Sequence, residues 1–343
     1  SHAHGLCLII DLLVDPENGV IGDANEIAGV GHRVVHGGER FSDPVLVTDE
    51  VIRAIEDTVP LAPLHNPPNL AGITTAMALF TQVPHVVVFD TAFFQTMTPE
   101  AYLYALPYAL YTDLGIRRYG FHGTSHRFVS AECARLMGTT PAKINCITIH
   151  LGNGCSMTAV RGGKAVDTSL GMTPLAGLIM GTRSGDVDPA ILTFLHREKG
   201  LSVEEIDTLL NKESGLKGIC GQNDMRDIHA AIDRADESSP RAQLALDMAC
   251  YRNRKYLGEY LAVLGRTDAV VFTAGIGEND AVVRAKTLQG LEHLGITLDP
   301  AKNTAKNSEA RAIHADNSPV AVWVIPTNEE LEIARQTCTV LAG

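Results

Sequence analysis

Two arginines in this sequence stand where an uncompensated positive charge would be costly. Arg33 lies inside the apolar, strand-like run GVGHRVV, and Arg183 lies in the glycine-rich segment GTRSGDVD. A guanidinium that leaves water needs an anionic partner, and its planar fork matches carboxylates and phosphates. A salt bridge to a protein carboxylate would satisfy either arginine. The run Asp224-Met225-Arg226 offers a third such group, so the pattern favours a phosphate or carboxylate ligand.

Two carboxylates follow strand-like runs directly. Asp90 ends HVVVF, and Glu329 comes shortly after VAVWVIP. In the sequence Thr327-Asn328-Glu329-Glu330, Thr327 is the predicted helix cap and Glu330 its reciprocal partner, which leaves Glu329 free. Helix capping is the alternative for Glu329. Carboxylates beside anion-binding arginines suit Mg²⁺, which proteins hold through a few carboxylates, waters and substrate phosphates.

The glycine-rich stretches do not match the standard nucleotide signatures. Gly163-Lys164 lacks the first glycine and the final Ser/Thr of a P-loop, and GIGEND and GVGHRV lack the third glycine of a Rossmann fingerprint. His122 and His126 are four residues apart in FHGTSHRF, but Gly123 stands where a zinc metalloprotease has glutamate. A buried, hydrogen-bonded histidine is the alternative for each. Carboxylates, arginines, glycines and a histidine for developing charge together favour phosphoryl transfer.

The elements that must position these residues alternate between strands and helices, which predicts an α/β fold. Strands are predicted at 27–35, 85–89, 145–150, 156–161, 269–274 and 320–325. Helices are predicted from the capping box at 202–205, from Ser239-Pro240 to Gly265 and after Asp188-Pro189, whereas the proline-rich segment 60–69 is predicted to be irregular. Several strands run straight into glycine and polar residues. Ligands bind beyond the carboxyl ends of strands in such sheets, so we expect a cleft built from several strand ends.

The bulk composition narrows the functional classes. A length of 343 residues favours two domains, and a net charge of −12 argues against a nucleic-acid partner. The seven cysteines are scattered without a CxxC pair, which is typical of a reduced, cytoplasmic protein. No apolar run is long enough to span a membrane, and the start of the sequence lacks the basic segment and following apolar run that are typical of a secretory signal.

The motifs, taken together, resemble those of the acetate kinase family. They are GHRVVHGG, PLAPLHNPPN, FDTAFF, YGFHGTSH, HLGNG, DTSLGMTPLAGLIMGTRSGDVDP, FTAGIGEN and PTNEE, in the family's order and along essentially the whole chain. The resemblance implies an α/β fold of the acetate and sugar kinase/Hsp70/actin type (ribonuclease H-like). Two similar domains would flank a central cleft, usually in a homodimer. Residues 1–92 with 328–343 would form the first domain, and 93–327 the second, which carries most of the nucleotide site.

The resemblance also implies a reaction and roles for the candidate residues. The reaction is reversible, Mg²⁺- or Mn²⁺-dependent in-line transfer between ATP and acetate, giving ADP and acetyl phosphate without a phosphoenzyme. Arg33 and Arg183 would hold the carboxylate and the migrating phosphoryl group, and His122 would stabilise its equatorial oxygens. Asp90 and Glu329 would organise the metal, with Asp90 also near the acceptor. The pocket for the acetate methyl would comprise Val35, Leu64, Phe121 and Pro174, and the nucleotide site His150, Asn153, Gly154, Asp224, Met225, Arg226, Gly275, Ile276 and Asn279.

The segment HLGNGCSMTAVRGGKAVDTS (150–169) resembles the family's phosphate-binding hairpin. Its first glycine pair would let the backbone approach phosphates, and Gly162-Gly163 would make the turn back. Nothing in the chain matches the family's first phosphate loop, Asn-Ala-Gly-Ser-Ser-Ser-x-Lys, and the family's layout leads us to expect further residues before Ser1.

Two alternative functions remain open from the sequence. Propionate kinase is the nearer one, because one extra methylene in a pocket with Val35 changes specificity by only ~1–3 kcal/mol. A nucleotide-binding relative impaired in phosphoryl transfer is the other. The intact Arg33, His122, Arg183 and Glu329 argue against it, since a protein that only binds nucleotide has little need of transition-state groups.

Overall fold

Strands and helices build two units in the computed structural model, which describes residues 2–63 and 65–343. One unit comprises Ser1–Gln95 with Asn328–Gly343, and the other comprises Thr96–Thr327. The strands are β1 (Val30–Val34), β2 (Val45–Leu46), β3 (His85–Phe89), β4 (Asn145–Leu151), β5 (Cys155–Arg161), β6 (Lys164–Thr168), β7 (Ala269–Thr273), β8 (Arg311–Ala312) and β9 (Ala321–Val324). The α-helices are α1 (His2–Leu13), α2 (Asp49–Asp57), α3 (Asn66–Leu79), α4 (Pro99–Tyr102), α5 (Ala109–Leu114), α6 (Gly123–Leu136), α7 (Ala190–Lys199), α8 (Val203–Thr208), α9 (Gly215–Cys220), α10 (Met225–Asp233), α11 (Ser239–Leu264), α12 (Ala274–Asn279), α13 (Ala281–Leu288), α14 (Pro300–Thr304) and α15 (Glu329–Ala342).

The first unit is built on a three-stranded sheet of order β1-β3-β2. β3 is buried along its whole length, as expected of an apolar strand covered on both faces. The hydrophobic core of this unit includes Val34, Ile55, Ile73, Val87 and Phe89. β1 and β3 run parallel, so both strands deliver the residues that follow them to the same edge of the sheet.

The second unit contains a six-stranded sheet of order β6-β5-β4-β7-β9-β8. β4, β7 and β9 are parallel, and their carboxyl ends therefore lie at one edge. β4, β5 and β6 form an antiparallel meander. α6 packs against β4 and β7, whereas the long helix α11 packs against β4 and β5. None of the helices in the described residues is both long and apolar enough to cross a membrane.

All six predicted strands are present, with ends shifted by a few residues. The capping box is confirmed, because Ser202 caps α8 and Glu205 bonds back to the Ser202 amide. The helix from Ser239 to the glycine at 265 and the helix after Pro189 are also confirmed. The prediction that 60–69 is irregular is wrong at its end, where α3 begins at Asn66. Two prolines fit its first turn because amides there have no partner within the helix.

Candidate active site

A charged cluster in the first unit brings together Arg33, Asp90 and Glu329. Arg33 lies near the end of β1 and Asp90 directly after β3, at the shared carboxyl edge. The Arg33 guanidinium donates to both carboxylate oxygens of Asp90, with Nε 3.2 Å from Oδ1. The same Nε lies 3.8 Å from Oε2 of Glu329. Arg33 therefore has the protein salt bridge that was one of its two alternatives, and it shares its charge between two acids.

The electrostatics of this cluster suit a further cation. Burial and the neighbouring Asp90 raise the pKa of Glu329, and Arg33 offsets this only in part. The pKa of Arg33 is raised, chiefly by Asp90. Two carboxylates around one guanidinium leave net negative charge, and carboxylate oxygens are the ligands that Mg²⁺ prefers. The described residues contain no group of three or more His, Cys, Asp or Glu side chains placed to bind a metal, so substrate and water oxygens would have to complete a coordination shell.

The predicted cap of the last helix is wrong. Asn328, not Thr327, caps α15, and its side chain accepts a hydrogen bond from the Leu331 amide at 2.9 Å. The Thr327 hydroxyl instead donates to Ser125 at 2.9 Å. Glu329 is still released from capping, as predicted, because its carboxylate lies beside Arg33.

The asparagine between two glycines after β4 lies in a tight turn of the second unit. Gly152-Asn153-Gly154 joins β4 to β5, and the Gly152 amide donates to the Gly154 carbonyl at 3.0 Å. A Cβ on Gly154 would lie 2.7 Å from Nη2 of Arg183 and 3.3 Å from Nε2 of His122. Only glycine admits both side chains at this distance.

The second glycine pair makes a turn, as predicted. Gly162 and Gly163 adopt φ values of 58° and 78°, and their turn leads from β5 back along it into β6. The turn between β4 and β5 is made at Gly152–Gly154. The two glycine pairs therefore form separate turns.

Two imidazole rings stack beside the glycine turn. The rings of His122 and His150 have centroids 4.3 Å apart and an interplanar angle of 17°. His122 precedes α6 with a left-handed φ of 58°, a conformation that is unfavourable for a residue other than glycine and is concentrated at functional sites. Nδ1 of His122 lies 2.8 Å from the Ser156 hydroxyl, and Nδ1 of His150 lies 2.9 Å from the Ser125 hydroxyl.

Arg183 completes this group and has no carboxylate partner in the part of the chain that the structure describes. Its Nη1 donates to the Pro174 carbonyl at 2.6 Å, and no acidic side chain among the described residues forms an ion pair with it. Burial lowers its pKa, as expected of a cation short of counter-charge. The second unit thus brings together His122, His150, Gly154 and Arg183, whereas the salt-bridge alternative does not hold for Arg183.

The residues predicted for the acetate methyl are divided between the units. Val35 follows β1 and is buried in the first unit. Phe121 is buried next to His122, and Pro174 contacts Arg183 through its carbonyl, both in the second unit. Leu64 lies outside the described residues.

The predicted nucleoside residues line one cavity of the second unit, of about 950 Å³. They are Asp224, Met225, Arg226, Gly275, Ile276 and Asn279, and Asn153 of the glycine turn lines the same cavity. This volume falls in the range of small-molecule sites. The Arg226 guanidinium pairs with Asp224 at 2.5 Å and is highly exposed. Its hydrogen bonds lower the pKa of Asp224 to about 2.

Some residues of these sites were missed in the sequence. His229 and Asp280 line the cavity of the predicted nucleoside residues, with Nε2 of His229 2.7 Å from Oδ2 of Asp280. Ser125 and Ser156 hold the two stacked rings. YGFHGTSH already contained Ser125, but its partner is 25 residues away, and single-sequence patterns do not reveal such pairs.

The chain is similar to proteins of one known family. The profile described as "Acetokinase family" matches residues 1–335. The chain is 60% identical to an acetate kinase of Desulfotalea psychrophila over 99% of its own length and 84% of the relative's, and 56% identical to one of Oleidesulfovibrio alaskensis over 100% and 85%. A Porphyromonas gingivalis acetate kinase structure matches with a TM-score of 0.94 and 47% identity, covering 99% of this chain and 85% of that one. A Francisella tularensis propionate kinase matches with a TM-score of 0.91 and 44% identity over the same shares.

Proposed function

The chain belongs to the acetokinase family and is a phosphotransferase with a carboxyl acceptor, and on this premise we propose how its residues transfer a phosphoryl group between ATP and acetate. The reaction is acetyl phosphate formation from ATP and acetate, and its reverse. The observation that carries the assignment of roles is Arg183, a partly buried guanidinium without an acidic partner in the described residues, beside two histidines and a glycine turn. Such a group is built for an anionic ligand.

The second unit supplies the phosphate side of the reaction. Arg183 and His122 neutralise the charge of the migrating phosphoryl group, and His150 with the Asn153-Gly154 turn contacts the nucleotide phosphates. Phosphoryl transfer requires positioning and charge stabilisation rather than covalent catalysis by the protein, so preorganised donors of this kind account for most of the effect.

The nucleoside occupies the cavity lined by α10 and α12. Asp224, Met225 and Arg226 bound one side of it, and Gly275, Ile276 and Asn279 the other. The Asp224–Arg226 ion pair stays at the rim, where its planar guanidinium can stack on a base.

The first unit supplies the acceptor side. Arg33 binds the acetate carboxylate, and Asp90 and Glu329 would hold Mg²⁺, or Mn²⁺ in its place. The bound metal would neutralise phosphate charge during transfer. The acidic excess at this cluster and the raised pKa of Glu329 support the assignment. Val35 of this unit would contact the acetate methyl.

We further propose that residues 1–92 with 328–343 act as the acceptor domain and 93–327 as the nucleotide domain, and that the protein works as a cytoplasmic homodimer. The family resemblance supports the dimer. Sedimentation of the purified protein would test it, and a single monomeric species at micromolar concentration would contradict it.

The reaction is tested by trapping the acyl phosphate as its hydroxamate. The full-length protein with ATP, Mg²⁺ and acetate should produce acetyl hydroxamate and ADP in equal amounts, and EDTA should abolish the product. Absence of product at saturating acetate would refute the proposal. Competing acetate, propionate and butyrate in the same assay decides chain-length preference, and a higher kcat/KM for propionate would establish the alternative acyl acceptor.

A further inference from the structure

Each of the two stacked histidines contacts a serine hydroxyl through its Nδ1 atom. Nδ1 of His122 contacts Ser156 at 2.8 Å, and Nδ1 of His150 contacts Ser125 at 2.9 Å. The Nε2 edges face the glycine turn, since Nε2 of His122 lies 3.3 Å from a Cβ placed on Gly154 and Nε2 of His150 lies 3.8 Å from one placed on Gly152. Whether Nε2 carries a proton therefore determines whether each ring presents a hydrogen-bond donor or an acceptor to the turn.

Each serine has a second partner behind the ring. Ser156 Oγ also lies 2.7 Å from Nε2 of His126, and Nδ1 of His126 lies 2.7 Å from the Thr148 hydroxyl. Ser125 Oγ also accepts from the Thr327 hydroxyl at 2.9 Å. A hydroxyl has one proton, so a serine between two such partners donates to one and accepts from the other.

The direction of the first chain follows from its buried end. Thr148 lies 2.7 Å from the His126 ring but 3.5 Å from the Thr158 carbonyl, so its proton is assigned to Nδ1 of His126. His126 is fully buried and its pKa is well below the usual value because of burial, so the ring is neutral and carries its proton on Nε2. That proton goes to Ser156, and the Ser156 proton then goes to Nδ1 of His122.

The second chain has the same direction. Thr327 donates to Ser125, and Ser125 donates to Nδ1 of His150. Both neutral rings then carry their proton on Nε2. Two neutral rings can stack at 4.3 Å without repulsion, whereas two imidazolium rings at this distance would repel each other.

We propose that Ser156 and Ser125 hold His122 and His150 as Nε2–H tautomers, so that the stacked pair offers two N–H donors to phosphoryl oxygens without being protonated. Ser156, Ser125 and the buried His126 are then positioning residues, which act through the rings rather than on substrate. This inference rests on the proposed phosphate role of the two histidines and adds to it the protonation state in which they act.

The direct test is the ¹⁵N NMR spectrum of protein labelled at histidine, at neutral pH and without ligand. The His122 and His150 signals are assigned from the single variants H122Q and H150Q. Both rings should show a protonated, pyrrole-type Nε2 and an unprotonated Nδ1. A protonated Nδ1 with an unprotonated Nε2 on His122, or a doubly protonated ring, would overturn the proposal.

The kinetic test removes the serine donor. Ser156→Ala should lower kcat about 10- to 100-fold with little change in KM for ATP or acetate, because a transition-state donor is lost from most of the population. The remaining activity should rise relative to wild type as the pH falls, since a ring without a fixed tautomer donates reliably only when protonated. In the described part of the unit, three titratable or charged side chains lie near the His122 ring. They are His150 on β4, His126 on α6 and Arg183 in the loop before α7.

Controls separate this role from a structural one. Ser156→Thr keeps the hydroxyl and should restore kcat, and His126→Gln, whose amide can replace the donor, should retain more activity than His126→Leu. Ser130→Ala removes a buried hydroxyl of α6, which donates to the Arg127 carbonyl, and should leave kcat unchanged. A Ser156→Ala enzyme with wild-type kcat and pH profile would overturn the proposal. An inactive wild-type protein would instead defeat the proposed function, whereas the tautomer remains readable by NMR.

Discussion

At the scale of single residues, Arg33 and Arg183 differ in the partners of their guanidinium groups. Arg33 is already paired with Asp90 and Glu329, so it is held in place before any ligand binds. Arg183 has a carbonyl partner but no acidic one within the described chain. Its charge is therefore the one that a phosphoryl group would neutralise most effectively.

Arg183→Ala should lower kcat by about 10²–10³-fold or more, because a charge aimed at the migrating group is lost. The Kd for ADP should change little, since the nucleoside cavity is formed by other residues. Steady-state kinetics and calorimetry with ADP measure the two effects. Arg197→Ala, an equal change of charge on the exposed side of α7, is the control and should behave as wild type. Unaltered turnover in the first variant would remove Arg183 from the site.

At the scale of elements, the turn between β4 and β5 is determined by what must fit beside it. Gly154→Ala should reduce kcat about 10-fold or more, because the new Cβ would lie 2.7 Å from Nη2 of Arg183 and displace that side chain. The end of an arginine can move, so thermal stability should hardly change. Gly258→Ala is the matched control within α11, where an added Cβ meets nothing within 4 Å. It should raise stability by about 0.5–1 kcal/mol and leave kcat intact. Equal activity of the two variants would contradict the close approach at Gly154.

The start of α15 places Glu329 beside the acidic cluster. Glu329→Gln should raise the Mg²⁺ concentration needed for half-maximal rate by about 10-fold or more, because an anionic oxygen ligand is lost. Glu330→Gln, the exposed neighbour in the same helical turn, should not change it. Titration of the rate with Mg²⁺ at saturating ATP and acetate measures both. The same half-saturation in the two variants would exclude Glu329 from the metal site.

Sequence patterns predicted these elements well where the decisive contacts are local. The capping box of Ser202 and Glu205 spans four residues and was found correctly. At α15, both Thr327 and Asn328 can cap, and the choice depends on Ser125, a partner 202 residues away that takes the Thr327 hydroxyl. The short strand β2 escaped prediction because two residues carry no periodicity.

At the scale of the whole molecule, motif order predicted the family and the candidate residues, and each unit groups its share of them. Arg33, Asp90 and Glu329 meet in one unit, and His122, His150, Gly154 and Arg183 meet in the other. The serines behind the rings could not be predicted, because a hydrogen bond across 34 residues leaves no mark on local sequence.

The stability of the molecule toward acid should depend on a histidine outside these sites. In the first unit, Nε2 of the His85 ring lies 3.1 Å from the Phe80 carbonyl. Nδ1 of the same ring accepts a hydrogen bond from Nε2 of His32 at 2.8 Å. Burial, and secondarily the neighbouring His85, lower the pKa of His32 to about 4. As the pH falls, His32 therefore becomes protonated near the ordinary histidine pKa in the unfolded chain, whereas in the folded chain it stays neutral at that pH. Stability is fully present above that pKa and decreases as the pH falls toward about 4.

His32→Gln should flatten this part of the stability curve, because it removes a loss of at most about 1.4 kcal/mol per pH unit for one proton. Urea unfolding of wild type and variant across this pH range, followed by a probe in the first unit, gives the two slopes. His293→Gln, an exposed histidine in a 3-10 helical turn of the second unit, controls for the loss of a titratable ring. Because the His32 ring sits on β1, whose carboxyl end carries Arg33, the same protonation would disturb the strand that positions the acceptor side. Parallel wild-type and His32→Gln curves would show that the pair does not govern acid stability.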